Sequence, residues 1–206
     1  MSYICLMVNE NGAVAGADSR ESFRSLAHLD WRRKCFSLPE KRLIWTCCGP
    51  TIRLGVDFFR ASGLIFRGRG STEEQLERIG RLVAQVTRVP IPGGDVSGVF
   101  CLLAAQWEDG GFIVWNMSVT GGKPVIKKQR PVPGEAVSLH AGAWHRKMPP
   151  LAAQSLARLS YQELEQKAQE RVTLAIELDA RRKEKDRKYH PSIGGRVRTT
   201  GIRVKR

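Results

Sequence analysis

The feature that most constrains the fold is the shortness of the connections between apolar runs. Residues 4–8 and 13–17 flank a turn centred on the Asn11-Gly12 pair, and residues 34–38 and 43–48 flank the turn 39–41. Asn-Gly is a strong hairpin signal because both residues tolerate positive φ. Parallel strands need crossovers of a dozen or more residues, so these runs are predicted to pair antiparallel.

Helix signals are grouped in blocks rather than alternating with the strands. Capping boxes at 71–74 and 160–163 open apolar patterns of helical period, the second of which runs to about residue 188. A further helix is predicted over about residues 51–61 from the apolar positions Ile52, Val56 and Phe59, and the preceding proline suits a first helical turn. Helices in blocks and short hairpins predict an α+β fold with antiparallel sheets, as one domain spanning 1–206.

The composition limits where such a chain can work. No run of about 18 apolar residues exists, and the N-terminus has neither a basic n-region nor a long apolar h-region, so neither a membrane span nor a signal peptide is predicted. Five cysteines, odd in number and irregularly spaced, favour free thiols in the reducing cytoplasm. The four histidines lack the spacing of metal ligands, so the sequence predicts no metal and no cofactor.

A net charge of +14 is concentrated toward the C-terminus. Residues 181–206 hold eleven Lys and Arg against two acidic residues. This segment is either a solvated helix end and tail or a binding module for an anionic partner. Nucleic acid is the less favoured partner because no aromatic stacking motif accompanies the charge.

Three residues near the N-terminus carry the chemistry. Removal of Met1 would expose Ser2, whose hydroxyl is a nucleophile and whose α-amine can act as its general base. Asp18 follows sixteen residues later and Lys34 sixteen after that. Each residue alone is a weak signal, and their joint spacing is the specific one.

These residues carry a resemblance to a known family. Residues 12–20 resemble the G-x-V-x-A-x-D-S-R-like segment of the proteasome β-subunit superfamily of N-terminal-nucleophile hydrolases, which includes the HslV-like bacterial peptidases. With Ser2 on the family threonine, Asp18 and Lys34 fall on its Asp and Lys without a gap. The chain looks closer to the bacterial proteasome-like groups, such as the Anbu-type proteins, than to standard proteasome subunits. The resemblance implies an αββα sandwich of two antiparallel sheets flanked by helices.

The resemblance also implies a set of site residues. Ser2, Asp18 and Lys34 would be catalytic, and Gly49 would donate its N–H to the oxyanion. Other positions follow by the same comparison: support of the nucleophile from Arg20 and His190, and a substrate pocket from Glu21, Arg32 and Phe36.

The sequence departs from the family pattern near the expected oxyanion and hydroxyl positions. Pro50 has no N–H to donate, so the oxyanion hole would be lost if Pro50 took the donor position. Ala141 and Ala143 stand where the family carries hydroxyl residues.

By resemblance, the function is that of a serine-type peptidase or amidase in a homo-oligomeric ring or stack. Its substrate would be a peptide or unfolded protein, with an ATP-dependent unfoldase as a possible partner. Two alternatives stay open: a catalytically silent scaffold with the same fold, and a basic binding module built on residues 181–206.

Overall fold

The computed structural model describes residues 2–22, 28–50, 52–89, 99–186 and 193–204, with the side chains of residues 21, 22, 28, 29 and 145 outside that description. Within these ranges the strands are β1 (Tyr3–Asn9), β2 (Gly12–Asp18), β3 (Glu21–Ser22), β4 (His28–Leu29), β5 (Cys35–Leu38), β6 (Leu43–Cys48), β7 (Ile52–Arg53), β8 (Val56–Asp57), β9 (Phe100–Glu108), β10 (Gly111–Thr120), β11 (Lys123–Gln129), β12 (Val137–Gly142) and β13 (Val197–Arg203). The α-helices are α1 (Phe58–Arg67), α2 (Thr72–Arg88), α3 (Ala153–Ala157) and α4 (Tyr161–Lys185).

Two antiparallel sheets form the centre of the molecule. The first has the strand order β12-β1-β2-β13, and the second has the order β11-β10-β9-β6-β5. Strands β3 and β4 form a separate two-stranded pair, as do β7 and β8. Short hairpins connect β1 to β2, β5 to β6 and β9 to β10, which confirms the antiparallel pairing predicted from the connections.

Apolar side chains fill three layers. One cluster lies between the two sheets and includes Ile4, Ile44 and Leu103. A second packs the five-stranded sheet against α1 and α2, and a third packs the four-stranded sheet against α4. Both sheets therefore have a helical layer on the outside, and the chain is the predicted αββα sandwich.

Alternation along β1 assigns its side chains to these layers. Ile4 belongs to the cluster between the sheets, whereas Tyr3 and Cys5 belong to the cluster against α4. Every residue of β1 and β2 is buried, because both strands are central and both of their faces are covered.

The turn between β1 and β2 differs from the predicted one. Asn9 pairs with Gly12, so Glu10 and Asn11 form the turn rather than Asn11 and Gly12. The Asn9 Oδ1 atom accepts hydrogen bonds from the N–H groups of Asn11 and Gly12 at 2.9 and 3.2 Å. The asparagine at the end of β1 therefore closes the turn with its side chain.

The helix predicted over about residues 51–61 is wrong in its first half, and the observed helix continues to Arg67. Strands β7 and β8 pair there, joined by Leu54 and Gly55 at φ of 50° and 77°, which suits a two-residue hairpin turn. Helix α1 begins only at Phe58, because Asp57 caps it by accepting from the N–H groups of Phe59 and Arg60.

The other helix predictions hold. Both capping boxes are present, on α2 at Ser71 and Glu74 and on α4 at Ser160 and Glu163. Helix α4 ends at Lys185, three residues before the predicted end. Among the helices within the described ranges, none is both long enough and apolar enough to span a lipid bilayer.

Candidate active site

The end of β2 brings the first two predicted site residues together. Ser2 immediately precedes β1, and Asp18 is the last residue of the neighbouring strand β2. The Asp18 Oδ1 atom accepts a hydrogen bond from the Tyr3 N–H at 3.0 Å. The carboxylate therefore holds the backbone directly after Ser2, and Ser2 itself is only 7% exposed.

Lys34 completes the cluster from the opposite sheet, because it directly precedes β5, a strand of the five-stranded sheet. Its Nζ atom lies 2.7 Å from Ser2 Oγ and 3.1 Å from Asp18 Oδ2, and it also donates to the carbonyl oxygen of Arg20. An ammonium group has three N–H donors, and these three oxygens can accept all of them. The side chain is 1% exposed, so its position is fixed by these contacts.

The surroundings of Asp18 are those of a buried acceptor. Its Oδ2 atom accepts from the N–H groups of Arg20 at 3.1 Å and Gly194 at 3.3 Å, besides Lys34. Burial raises the pKa of the Asp18 carboxyl above its ordinary value, and the Lys34 ammonium and the N–H groups of Tyr3 and Gly194 oppose that rise. Within the described part of the chain, the Asp18 carboxylate is the acidic partner of the buried Lys34.

The end of β12 fixes Ser2 from the other side. The Ala143 N–H donates to the Ser2 carbonyl oxygen at 2.9 Å. Gly142 has φ of 92°, and a Cβ atom added there would lie 1.9 Å from that same oxygen. Only glycine allows this close approach. A backbone contact therefore holds Ser2 at the place where the family pattern carries a hydroxyl side chain.

A second set of contacts locks the segment after Asp18. The Ser19 hydroxyl donates to the Asp30 carbonyl oxygen at 2.5 Å and accepts from the Arg196 N–H at 2.7 Å. The Arg20 guanidinium makes a two-pronged ion pair with the Asp30 carboxylate at 2.7 and 2.8 Å. Arg20 thus supplies its N–H and carbonyl to the site, and its side chain braces the neighbouring loop.

Gly49 ends β6 in a conformation that requires glycine. Its φ is 113°, and an added Cβ atom would lie 2.4 Å from the Val99 carbonyl oxygen. The left-handed backbone turns the chain sharply after Cys48, at the place where the sequence predicts an oxyanion donor. The role of the Gly49 N–H stays a prediction.

The predicted pocket residues are partly brought together. Arg32 forms an ion pair with Asp57, and Phe36 stacks on Trp45 with ring centroids 5.3 Å apart. Arg32 and Phe36 line one groove between β5 and α1. The backbone of Glu21 pairs with Leu29, but the Glu21 side chain lies outside the described part of the chain, and so does His190.

Sequence reasoning missed Asp179, a fully buried residue of α4. Its carboxylate accepts from Trp144 Nε1 at 2.7 Å and from the Ile193 N–H at 2.9 Å, directly before the Gly194 that contacts Asp18. Asp179 continues the apolar stripe of α4, four residues after Ala175. A charged residue on the buried face of a helix was the signal available in the sequence.

Comparisons with known proteins find no match to the sequence but do find matches to the fold. No family model and no curated protein matches this sequence. Among solved structures, Anbu (ancestral beta-subunit) from Yersinia bercovieri superimposes with a TM-score of 0.58 at 14% identity, covering 98% of this chain and 81% of that one. The chain has the fold of the Anbu proteins.

Two more Anbu structures superimpose on this chain in the same way. The helical assembly of the Anbu complex from Pseudomonas aeruginosa gives a TM-score of 0.60 at 14% identity, with 98% and 81% of the two chains covered. Anbu from Hyphomicrobium sp. strain MC1 gives 0.52 at 14% identity, with 98% and 82% covered. The coverage means that the likeness extends over nearly the whole αββα sandwich, and it confirms the proteasome-like fold predicted from residues 2, 18 and 34.

Proposed function

We propose that this protein is a serine-type N-terminal-nucleophile hydrolase that cleaves peptide or amide bonds. One observation carries the proposal: Lys34 Nζ lies 2.7 Å from Ser2 Oγ and 3.1 Å from Asp18 Oδ2, with all three side chains buried. Burying a charged pair costs free energy unless good geometry and further hydrogen bonds offset the desolvation. A lysine aimed at a serine hydroxyl suits stabilisation of an oxygen nucleophile.

The proposed mechanism begins with removal of Met1. The free Ser2 amine takes the proton of the Ser2 hydroxyl, and Oγ attacks the carbonyl carbon of the scissile bond. The amine then returns that proton to the leaving nitrogen, the C–N bond breaks, and an ester on Ser2 remains. Water, deprotonated by the same amine, hydrolyses the ester and restores the hydroxyl.

Lys34 and Asp18 act on this chemistry through charge and position. The Lys34 ammonium favours negative charge on Oγ and disfavours a proton on the nearby amine, which keeps the amine available as a base. Asp18 neutralises Lys34 and, through the Tyr3 N–H, holds the backbone that carries Ser2. The Gly49 N–H is the proposed donor to the carbonyl oxygen as it becomes an oxyanion.

The wider setting is part of the same proposal. We expect residues 1–206 to act as one domain and to assemble into a homo-oligomer, which the helical assembly of the Pseudomonas aeruginosa Anbu complex supports. An ATP-dependent unfoldase would deliver unfolded protein to such an assembly. A cytoplasmic location fits the five cysteines, all of which carry free thiols.

Intact mass spectrometry tests the nucleophile. The purified protein is weighed before and after treatment with an electrophilic probe that reacts with N-terminal hydroxyl nucleophiles. Loss of Met1 and one adduct are expected, and the adduct disappears in Ser2→Ala. Ser155→Ala, a change of an exposed serine at α3, serves as the matched control and keeps the adduct.

Two results would contradict the proposal. Retention of Met1 would leave Ser2 with an amide nitrogen instead of a basic amine. An adduct that persists in Ser2→Ala would place the reactive group elsewhere. Retention of Met1 in folded protein, with no adduct, would favour a silent scaffold with the same fold.

A further inference from the structure

A groove of about 510 Å³ runs between β5 and α1. Aromatic side chains and arginines line it, among them Trp31, Phe36, Arg33, Arg60 and Arg67. It begins beside Arg33, one residue before Lys34, whose Nζ contacts Ser2. The groove therefore lies next to Lys34 along the chain, yet nothing in the proposed mechanism uses its charge.

The charge of the groove is unbalanced. Asp57 is the one acidic residue among the described residues that line it. Both of its oxygens are engaged, since Oδ1 accepts from the N–H groups of Phe59 and Arg60 and Oδ2 pairs with the Arg32 guanidinium. The groove thus presents the positive charges of Arg33, Arg60 and Arg67 without an acidic partner of its own.

These cations are arranged along the groove rather than scattered. Arg33 Nε donates to the Cys35 carbonyl oxygen at 2.9 Å, which lays the side chain along the edge of β5. Arg60 and Arg67 are seven residues apart on α1, so they share one helix face on either side of Gly63. A Cβ atom at Gly63 would have only Trp45 near it, at 3.7 Å, so the glycine leaves room between the two arginines.

The strand beside the groove suits an extended polypeptide. Among the described strands, β5 pairs with β6 only and is the last in the order of its sheet. An edge strand presents backbone N–H and C=O groups that can pair with an added strand. Side chains of a polypeptide lying there would project toward the arginines of α1.

Two of the aromatic rings of the groove have no open face for a nucleobase, whereas Trp31 is 64% exposed. The Arg33 guanidinium lies 5.5 Å from the centroid of the Phe36 ring, and Phe36 also stacks on Trp45. The Arg32 guanidinium covers the Phe59 ring at 5.6 Å. Bases bind by stacking on open aromatic faces, and these two rings have other groups against them.

We propose that this groove binds acidic side chains of an extended polypeptide, with Arg33, Arg60 and Arg67 as the residues that recognise the carboxylates. The inference rests on the proposed function for one point, which is that the bound polypeptide is a substrate segment. It names the substrate class as polypeptide rich in Glu or Asp. Binding itself does not require the nucleophile.

The test measures binding on Ser2→Ala protein, in which a bound peptide stays intact. A short fluorescent peptide of alternating Glu and Ala is compared by anisotropy with the same peptide carrying Gln for Glu. We expect the Glu peptide to bind at least about ten-fold more tightly at low salt, and the difference to shrink as salt is added.

Reversing the charge of single arginines tests which residues bind the peptide. Arg60→Glu and Arg67→Glu should each weaken binding of the Glu peptide by about ten-fold. Arg81→Glu is the matched control, because Arg81 is an exposed arginine of α2 outside the groove and its reversal changes the net charge equally. Binding to Arg81→Glu should stay within about two-fold of the parent.

Three results would overturn the inference: equal binding of the Glu and Gln peptides, equal weakening by Arg81→Glu, or tighter binding of a single-stranded oligonucleotide that the two groove variants abolish. Circular dichroism of each variant establishes that it is folded. Because the assay lacks the Ser2 hydroxyl, its result is independent of probe labelling. A groove that binds the acidic peptide in a protein that fails to label would refute only the catalytic proposal.

Discussion

Replacing Asp18 with asparagine tests the ion pair at the centre of the site. The change keeps the shape of the side chain and removes the charge that neutralises Lys34. In the parent, Asp18 is 0% exposed and Lys34 is 1% exposed, and their atoms Oδ2 and Nζ are 3.1 Å apart. After the change, a buried ammonium has no carboxylate beside it, and an NH₂ group faces backbone N–H donors.

The expected loss of stability in Asp18→Asn follows from the burial of the ion pair. Breaking a buried ion pair by removing one partner typically costs about 3–5 kcal/mol, because the remaining charge stays desolvated. For a chain of this length, each kcal/mol lowers the melting temperature by roughly 2–4 °C, so Asp18→Asn should lower it by about 6–20 °C.

Asp30→Asn is the matched control. Asp30 pairs with Arg20 at 2.7 Å, with the two side chains 41% and 16% exposed, so solvent screens that pair. Its loss should cost at most about 1 kcal/mol. Chemical unfolding followed by tryptophan fluorescence, at one fixed protein concentration, gives both values. If Asp18→Asn costs no more than Asp30→Asn, the account of Asp18 as an essential counter-ion is refuted.

Removing both charges completes the test. Lys34→Met fills similar space without charge, so the double variant with Asp18→Asn should be more stable than the sum of the single changes predicts. The coupling should be at least about 2 kcal/mol, since neither buried charge is then left alone. Simple additivity would contradict the pairing.

Two further predictions concern the surroundings of the site. Burial raises the pKa of the Cys35 thiol from 9.0 to about 12, so above pH 9.0 the unfolded chain loses this proton while the folded chain keeps it. The free energy of unfolding should therefore fall as pH rises from about 9 to 12, by roughly 1.4 kcal/mol per pH unit for this thiol, and Cys35→Ala should make the fall shallower under reducing conditions. Gly142→Ala places a methyl group where the Ser2 carbonyl lies, 1.9 Å from the new Cβ, and the resulting shift of Ser2 should slow probe labelling by about a hundred-fold.

Each of these predictions has an outcome that contradicts it. An unchanged alkaline slope in Cys35→Ala would mean that the thiol is not held neutral in the folded protein. Normal labelling of Gly142→Ala would mean that the contact between the Ser2 carbonyl and the end of β12 does not position the nucleophile.

Local patterns were sufficient to predict much of the fold. Ser71 and Glu74, three residues apart, specify the start of α2 through bonds within a single turn. Asp109 and Gly110 likewise specify the β9–β10 turn, where both adopt positive φ. In each case the deciding interaction joins residues that are a few positions apart, so the local sequence is sufficient to predict it.

The error in the predicted start of α1 arose because side-chain contacts decide there between a helix and a hairpin. Residues 51–61 show apolar positions that fit a helix, yet Leu54 and Gly55 adopt a turn and Asp57 caps a later helix start. Asp57 also binds Arg32, 25 residues away in the chain. The spacing of apolar residues cannot reveal a contact between residues so far apart in the chain. This contact nevertheless helps to fix where α1 begins.

The contact among Ser2, Asp18 and Lys34 was predictable from the sequence, whereas the backbone groups that support it were not. The spacing of Ser2, Asp18 and Lys34 pointed to a cluster, and the structure brings the three side chains into contact. The backbone groups of Gly194 and Ala143 that hold the cluster have no signature in the sequence, because an N–H group is common to nearly every residue.

The hydrogen bond from the Gly194 N–H to Asp18 joins residues 176 positions apart. Contacts of such separation form late, since most of the chain has to be ordered before its ends can meet. During synthesis, the ribosome releases Ser2, Asp18 and Lys34 long before it releases Gly194. A growing chain thus carries Ser2 and Lys34 before the segment that holds the Asp18 carboxylate, and the proposed hydrolytic activity would require the synthesis of Gly194.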